Sequence, residues 1–490
     1  MKKKILLLCL FVMLLLTACY GKQNEPDTGR DTAEHTTNTV QNETDTETET
    51  EMRDNVPDGV RFDGASFVLL SPDEYGGQCL TDEQTGDVLN DAIYTMMITV
   101  EERLGIRITE ELTKFWEMQN HVEKLITAGD TSYSAVEMMD RFGFPLVQKN
   151  CFLPISKVPY IDLTRDYWGS GLRDDLQING ESYFAVGSFN LKAFTNTACT
   201  LINRTLGESN GVEITEEVID SGAWTYDMLY ALAENISTDA NGDGVMDEKD
   251  IYGLGHYDLR SAGAIAWISA GFRTLDNDTD GKLAVNVYGS ERFVDILTMV
   301  QDRLFYGDAC YKVDTGASTW STMDIFKDGR EWAMLCVFNG IVVMRDMEDD
   351  FTVVPVPKYE ESAPEYRSRT YDSYFTLIPT TALDTEMIGA VLEAMSCTAY
   401  RKVIPAYIQT TLKGKASRDL MAAKYIQLAF DTRHIDLGEA LIFDVFGDQA
   451  IYDLLKKQPL GISSYLEKRQ NTIDKAFSQI VALADAVDVE

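Results

Sequence analysis

The sequence predicts an α/β protein built as two lobes, and three observations carry that prediction. Apolar runs of strand character alternate with helical patterns from residue 66 to residue 139. Their order is strand, helix, strand, helix, strand, the sequence form of a doubly wound sheet. Short units of the same kind then recur to the C-terminus, too many for a single sheet.

Taken in order, Ser66–Leu70 is an apolar run closed by Ser71-Pro72 and reads as a buried strand. A helical pattern runs from Asp87 to Leu104 and stops at Gly105. Ile106–Thr109 alternates as a second strand, and Trp116–Ala128 reads as a helix ended by Gly129. Tyr133–Met139 is a third apolar run, leading into Asp140-Arg141-Phe142-Gly143. Gln177–Ala185 reads as a strand-turn-strand about Asn179-Gly180. Helices are expected near Tyr226–Asn235, Ser290–Phe305 and Trp320–Asp328, strands at Trp332–Phe338 and Phe351–Val356, and mostly helix after Asp384.

The N-terminus is of another kind. Lys2, Lys3 and Lys4 precede an apolar run from Ile5 to Leu16, which is shorter than the roughly 20 residues a membrane span needs. Leu16-Thr17-Ala18-Cys19 closes it with a small residue before a cysteine, and resembles the lipobox of bacterial lipoproteins. Residues 1–18 are therefore expected to be a signal peptide and Cys19 a lipidated first residue, holding the chain on the outer face of the cell membrane. Residues 19–55 are Thr-, Asp- and Glu-rich with almost no apolar side chain, which predicts a disordered tether.

A formal net charge of −36 leaves no basic footprint for a nucleic acid or an anionic lipid surface. Beyond Cys9 and Cys19, the six cysteines Cys79, Cys151, Cys199, Cys310, Cys336 and Cys397 are widely spaced without a C-x-x-C pair. That excludes the usual zinc-ribbon spacing, and their apolar contexts favour buried thiols over disulfides. Four histidines without His-x-x-x-His also argue against catalytic zinc.

Several phrases then carry a resemblance. Val158-Pro159-Tyr160-Ile161-Asp162-Leu163 with Tyr167-Trp168, Gly222–Leu229 and Phe326–Met334 resemble, in this order, segments of extracellular solute-binding proteins of ABC importers. Asp140-Arg141-Phe142-Gly143 is similar to the segment by which maltodextrin-binding relatives grip sugar hydroxyls. The resemblance implies a type II periplasmic-binding-protein fold, with two α/β lobes closing on a ligand. It implies residues 56–172 and 348–400 in one lobe, 173–347 in the other, and 401–490 as C-terminal helices mainly of the second lobe. It further implies a monomer that binds a carbohydrate, an oligosaccharide above all, and delivers it to ABC permease subunits.

Sugar binding asks for aromatic faces and for planar carboxylate, amide or guanidinium groups. Asp140 and Arg141 directly follow a strand, where a cleft would lie; Trp168 and Trp267 are candidate stacking faces, or core. Trp116 either faces the cleft or caps its helix, while Trp224 and Trp332 read as core. Asn339, Tyr371 and Asp372 fall at loops expected near the hinge, where the alternative is a plain turn.

Asp239, Asn241, Asp243, Val245, Asp247 and Asp250 have the spacing of an EF-hand-type loop, with Gly244 at its sixth position. The reading is one structural Ca2+; the alternative is an acidic surface turn, and Asp250 has a shorter reach than the usual Glu. Asp276–Gly281 begins alike but has Ala284 and Val287 where ligands belong, and reads as a hairpin turn.

No catalytic residue is assigned. G-x-S-x-G, S-x-x-K and H-E-x-x-H are all lacking. The competing functions are a secreted glycoside hydrolase, which needs two facing carboxylates, and a calcium-stabilised surface adhesin.

Overall fold

The computed structural model describes residues 52–74, 78–178, 180–278, 282–312, 323–371, 373–411 and 420–487. Residues 1–51, where the signal peptide, Cys19 and most of the tether are expected, lie outside them, as do Asn179, Trp320 and Asp372. The strands that frame the molecule are β1 (Ser66–Pro72), β2 (Arg107–Thr113), β3 (Ala135–Met139), β4 (Phe152–Leu153), β5 (Ala198–Asn203), β6 (Tyr252–His256), β7 (Glu331–Val337), β8 (Phe351–Val354), β9 (Ser368–Arg369), β10 (Tyr374–Pro379) and β11 (Arg433–His434).

One sheet has the order β2-β1-β3-β10-β4. Its first three strands run parallel, and β10 returns antiparallel to β3 and β4. Every residue of β3 is buried, as a central parallel strand covered on both faces requires. Helix Val88–Leu104 begins where the Asp87 carboxylate accepts the N–H groups of Leu89 and Asn90, at 2.9 and 3.1 Å. It ends at Gly105, whose φ of 68° suits a residue without a side chain. Together with helix Thr385–Thr411 it covers one face of this sheet, and the apolar residues between form their own cluster.

The second sheet has the order β8-β5-β7-β6. β7 runs parallel to β6 and antiparallel to β5, and β8 is antiparallel to β5. All of β5 and β7 are buried, with helix Leu420–Asp431 packed on β8. Each sheet with its helices is one lobe. None of the six remaining cysteines forms a disulfide, and all are buried. No helix among the described residues is long and apolar enough to cross a membrane.

Two expected boundaries move. The tether was expected to reach Asn55, yet Asp54 is tied to Arg103, with Nη2 to Oδ1 at 2.9 Å, so order begins before that point. The return to the first lobe was expected at residue 348. Phe351–Val354 instead pairs with β5, which keeps it in the second lobe, and the chain returns only at β10.

The two connecting segments, 186–197 and 355–373, lie side by side where Thr197 pairs with Thr370. Thr370 donates its hydroxyl to the Ala193 carbonyl at 2.7 Å, and the Asn196 amide donates to that of Tyr371 at 3.2 Å. Asn190 fastens them to the first sheet. Its carbonyl caps helix Leu191–Thr195, and its amide donates to Glu137 and to the Tyr374 carbonyl, both at 2.7 Å. Glu137 projects from β3, is wholly buried, and also takes the Thr376 hydroxyl.

Burial pushes the Glu137 carboxyl from 4.5 up to about 8. The folded chain therefore keeps a proton that the unfolded chain releases above pH 4.5, and stability falls as pH rises from there to about 8. Glu137→Gln, whose amide keeps the shape without the charge, is expected to abolish this slope. In urea melts the variant should gain on the wild type by a few kcal/mol between pH 5 and pH 9. Equal slopes would show that Glu137 does not titrate there.

Candidate ligand cavity between the lobes

A cavity of about 400 Å³ opens where strand ends of both sheets meet the connecting segments. Its size lies in the range of small-ligand sites. From the first lobe come Asp140 and Arg141, immediately after β3. They form the first turn of helix Asp140–Val147 rather than a loop, and the Asp140 carboxylate accepts the Arg141 N–H at 2.7 Å. The Arg141 guanidinium carbon stands 5.2 to 5.7 Å from the ring centres of Phe142, Phe115 and Trp116, a cation held among aromatic faces.

The second lobe contributes Tyr257, Asp258 and Arg260 after β6, and Asn339 after β7. Asp258 starts the short 3-10 turn Leu259–Ser261 by accepting the Arg260 N–H at 3.0 Å. It also takes the Arg260 guanidinium on both oxygens, between 2.6 and 3.0 Å. The pair is thereby internally neutral and rigid.

A third wall comes from the connecting segments and the C-terminal region. Lys192, Asn196, Arg369 and Tyr371 line it from the former, and Glu439, Phe443, Asp448 and Gln449 from the latter. Arg369 is buried and donates to Glu439 through Nε at 3.1 Å and to Asp448 through Nη2 at 2.8 Å. Burial pushes Glu439 up to about 6, against the pull of Arg369. The Tyr371 ring lies 4.4 Å from the Arg369 guanidinium carbon, and its hydroxyl bonds that of Tyr257 from the second lobe.

Of the sequence-predicted ligand residues, Asp140, Arg141, Asn339 and Tyr371 meet in this cavity. Asp372 lies outside the described residues. Trp116 is exposed beside Arg141, near the cavity but not lining it. Two expectations are corrected. Trp168 is core: its indole N–H donates to the buried Glu393 at 2.7 Å, beside the Tyr167 hydroxyl. Trp267 is fully buried in helix Ala262–Ser269, packed on Phe293. Neither presents a face to ligand. Trp224 and Trp332 are core as expected.

Sequence reasoning missed Tyr257, Asp258, Arg260, Arg369, Glu439 and Asp448. Tyr252–His256 is a short apolar strand followed by Tyr257-Asp258, the same signal that singled out Asp140, and could have found the first three. The C-terminal carboxylates carry no local signal.

In the 239–250 loop the acids turn to its own backbone. Asp239 accepts the N–H groups of Gly242 and Gly244, at 2.6 and 2.7 Å, and Asn241 that of Asp243 at 2.8 Å. Asp243 takes the N–H of Val245, and Asp247 that of Lys249. Asp250 accepts from Asp247 and Ala240, which hold its carboxyl below the usual range. Gly244 adopts φ 81°, the sharp turn the spacing requires. Among the described residues no three Asp, Glu, His or Cys side chains converge as a metal site.

No family model and no curated protein matches the chain. Solved structures do. An ABC substrate-binding protein of Listeria monocytogenes in complex with cycloalternan is 13% identical, with a TM-score of 0.52 over 85% of this chain and 100% of that one. The maltose/maltodextrin-binding domain of Bdellovibrio bacteriovorus bound to maltotriose is 12% identical, at 0.53 over 84% and 100%. A sugar transporter of Rhizobium etli in an open conformation is 13% identical, at 0.55 over 86% and 100%. At such identities the likeness shows the fold, the two-lobed α/β architecture of type II periplasmic binding proteins.

Arg369→Met leaves Glu439 buried without its counter-charge. Urea denaturation at pH 7 should show a loss of about 3–5 kcal/mol. The loss should shrink as pH falls from 7 towards about 6 and level off below, because without Arg369 the buried Glu439 takes up its proton at a higher pH than in the wild type. A loss independent of pH would mean that only packing was removed.

Proposed function

We propose that this chain is a lipid-anchored extracellular receptor of an ABC importer, binding a carbohydrate between its lobes and delivering it to permease subunits. The observation that carries the reading is the cavity itself. It lies between two sheets of the fold that the sugar-binding neighbours share, and offers planar polar groups beside aromatic rings. Asp140 and Arg141 would take hydroxyls from the first lobe and Asn339 from the second, with the Tyr371 ring against sugar C–H groups. Ligand bridging both lobes favours the closed arrangement by its differential affinity for it, and a closed receptor is what a permease can distinguish from an empty one. Cys19 would keep the receptor beside that permease, the tether giving it reach. Its action is capture and release, with no bond made or broken.

Thermal melts of the purified chain against a panel of neutral and acidic oligosaccharides test this. A true ligand at a hundredfold excess over Kd adds about 2.7 kcal/mol, a shift of a few degrees. Tyr371→Ala should lose most of that shift, measured against its own sugar-free Tm, which falls with the loss of its contacts to Arg369 and Tyr257. No shift with any glycan, together with release of free sugar from one, would establish the hydrolase instead.

One structural Ca2+ in the 239–250 loop belongs to the same proposal, supported by the spacing of its oxygens and the turn at Gly244. Asp239, Asn241, Asp243, Asp250 and the Val245 carbonyl would hold it, with Asp247 acting directly or through water. A chelator should then lower Tm by several degrees in the wild type and leave Asp243→Ala unmoved. A wild type indifferent to chelation has no such ion.

A further inference from the structure

His434 lies where several segments meet, and its imidazole stands between two carboxylates. Nδ1 is 2.8 Å from the carboxylate of Asp175, the last residue of helix Ser170–Asp175. Nε2 is 3.7 Å from that of Glu365, on the connecting segment that returns to the first lobe. The ring is buried, with Gly171 so close that a Cβ there would stand 3.1 Å from its Cε1.

Other charges close the cluster. Arg273 of the second lobe donates to Asp175 at 2.6 Å and lies 3.8 Å from Asp276, while Arg173 and Asp174 pair with each other. Arg367 pairs with Glu365 at 3.0 Å. Beside His434 itself, Arg433 turns to the ring and carbonyl of Phe430, and Asp436 takes the Thr274 N–H. Arg369, opposite His434 in the β9–β11 register, is committed to Glu439 and Asp448.

A neutral imidazole has one N–H and cannot serve both carboxylates. With its proton on Nδ1 for Asp175, a lone pair on Nε2 faces Glu365. Only the imidazolium attracts both. Burial favours the neutral ring, but the bonds to Asp175 and Glu365 outweigh it and, with Arg367 opposing, hold the imidazole above its ordinary 6.5. The strand that carries His434 also holds the connecting segment. Ser368 donates its N–H to the Thr432 carbonyl at 2.9 Å, and Thr370 to that of His434 at 3.0 Å. Arg369 between them, and Ile435 next to His434, both line the cavity.

We infer that His434 is a positioning residue whose charge sets how firmly the returning segment, and with it the Arg369 and Tyr371 wall of the cavity, is held. As imidazolium it ties Asp175 to Glu365, and as the neutral ring it releases Glu365. The folded chain keeps this proton more tightly than the unfolded one. The tie is therefore complete below pH 6.5 and is lost as pH rises through the higher folded value. The consequence for capture rests on the receptor reading: a carbohydrate is held more tightly on the acid side.

Two ligand-free measurements on the full-length chain test the tie. In proton NMR across pH, His434 is the ring signal that His434→Gln removes. It should titrate above 6.5, and Glu365→Gln, which keeps the shape without the charge, should bring it down. In hydrogen exchange corrected for the intrinsic effect of pH, peptides covering 365–371 should exchange about fivefold faster at about pH 8.5 than at about pH 6. Glu365→Gln and His434→Gln should each lose most of that difference, and circular dichroism melts check that both fold. A His434 that titrates below 6.5 or ignores Glu365→Gln, or peptides protected equally at both pH values, overturns the inference. With a sugar that raises the wild-type Tm, affinity should fall several-fold over the same pH range and stay level in Glu365→Gln. Level affinity in the wild type overturns the role of His434 in capture. A chain that binds no sugar withdraws the receptor reading alone, since the tie is measured without ligand.

Discussion

The buried guanidinium of Arg369 is the charge around which the connecting region is arranged. It stands on the segment that returns the chain from the second lobe to the first, and a cation so placed persists only opposite fixed anions. Glu439 and Asp448 supply them from the far end of the sequence. Pairing of β9 with β11 sets the backbone register on which this meeting depends, Ser368 opposite Arg433 and Arg369 opposite His434. Two residues on, Tyr371 rests against the guanidinium and bonds Tyr257 of the second lobe. One ionic cluster thus fixes the return crossing, a wall of the cavity and an aromatic face within it.

Much of the fold was legible because the cause was local. Strands buried on both faces are mostly apolar, and β1, β3 and β7 read so in the sequence, even with Glu137 inside β3 and Glu331 opening β7. Asp87 and Gly105 mark their helix by groups that satisfy its ends. What was illegible depended on distant partners. Phe351–Val356 reads as a strand in either lobe, and only its pairing with β5, some 150 residues earlier, decides which. The burial of Trp168 rests on Glu393, 225 residues away. A tryptophan's type states that it is large and flat, not whether a carboxylate will arrive to take its N–H.

The candidate site divides along the same line. Asp140 and Arg141 were readable because a strand delivers them to its carboxyl end, where the fold class puts clefts. Asn339 follows β7 in the same way, whereas Tyr371 was readable only as a loop ahead of a strand, β10. Glu439 and Asp448 stand on helical segments of the C-terminal region, one in Leu437–Leu441 and the other opening Asp448–Leu455, and their inward faces have no motif. They meet at the cavity wall on Arg369, and no spacing in the sequence links the three.

The balance of charge in the cavity bears on what it can hold. Arg260 is consumed by Asp258, and Arg369 by Glu439 and Asp448, so most of the strong ions there already answer one another. An ionic ligand would have to compete with these pairs and lose its own hydration. A neutral polyol need not, since paired carboxylates and guanidinium groups still accept and donate at their remaining positions. Pairing also removes rotational freedom before ligand arrives, which lowers the entropy lost on binding. Arg141 departs from this pattern, being held chiefly by aromatic rings with its Nε–H unsatisfied. It is thus the cavity cation best able to turn towards a ligand oxygen.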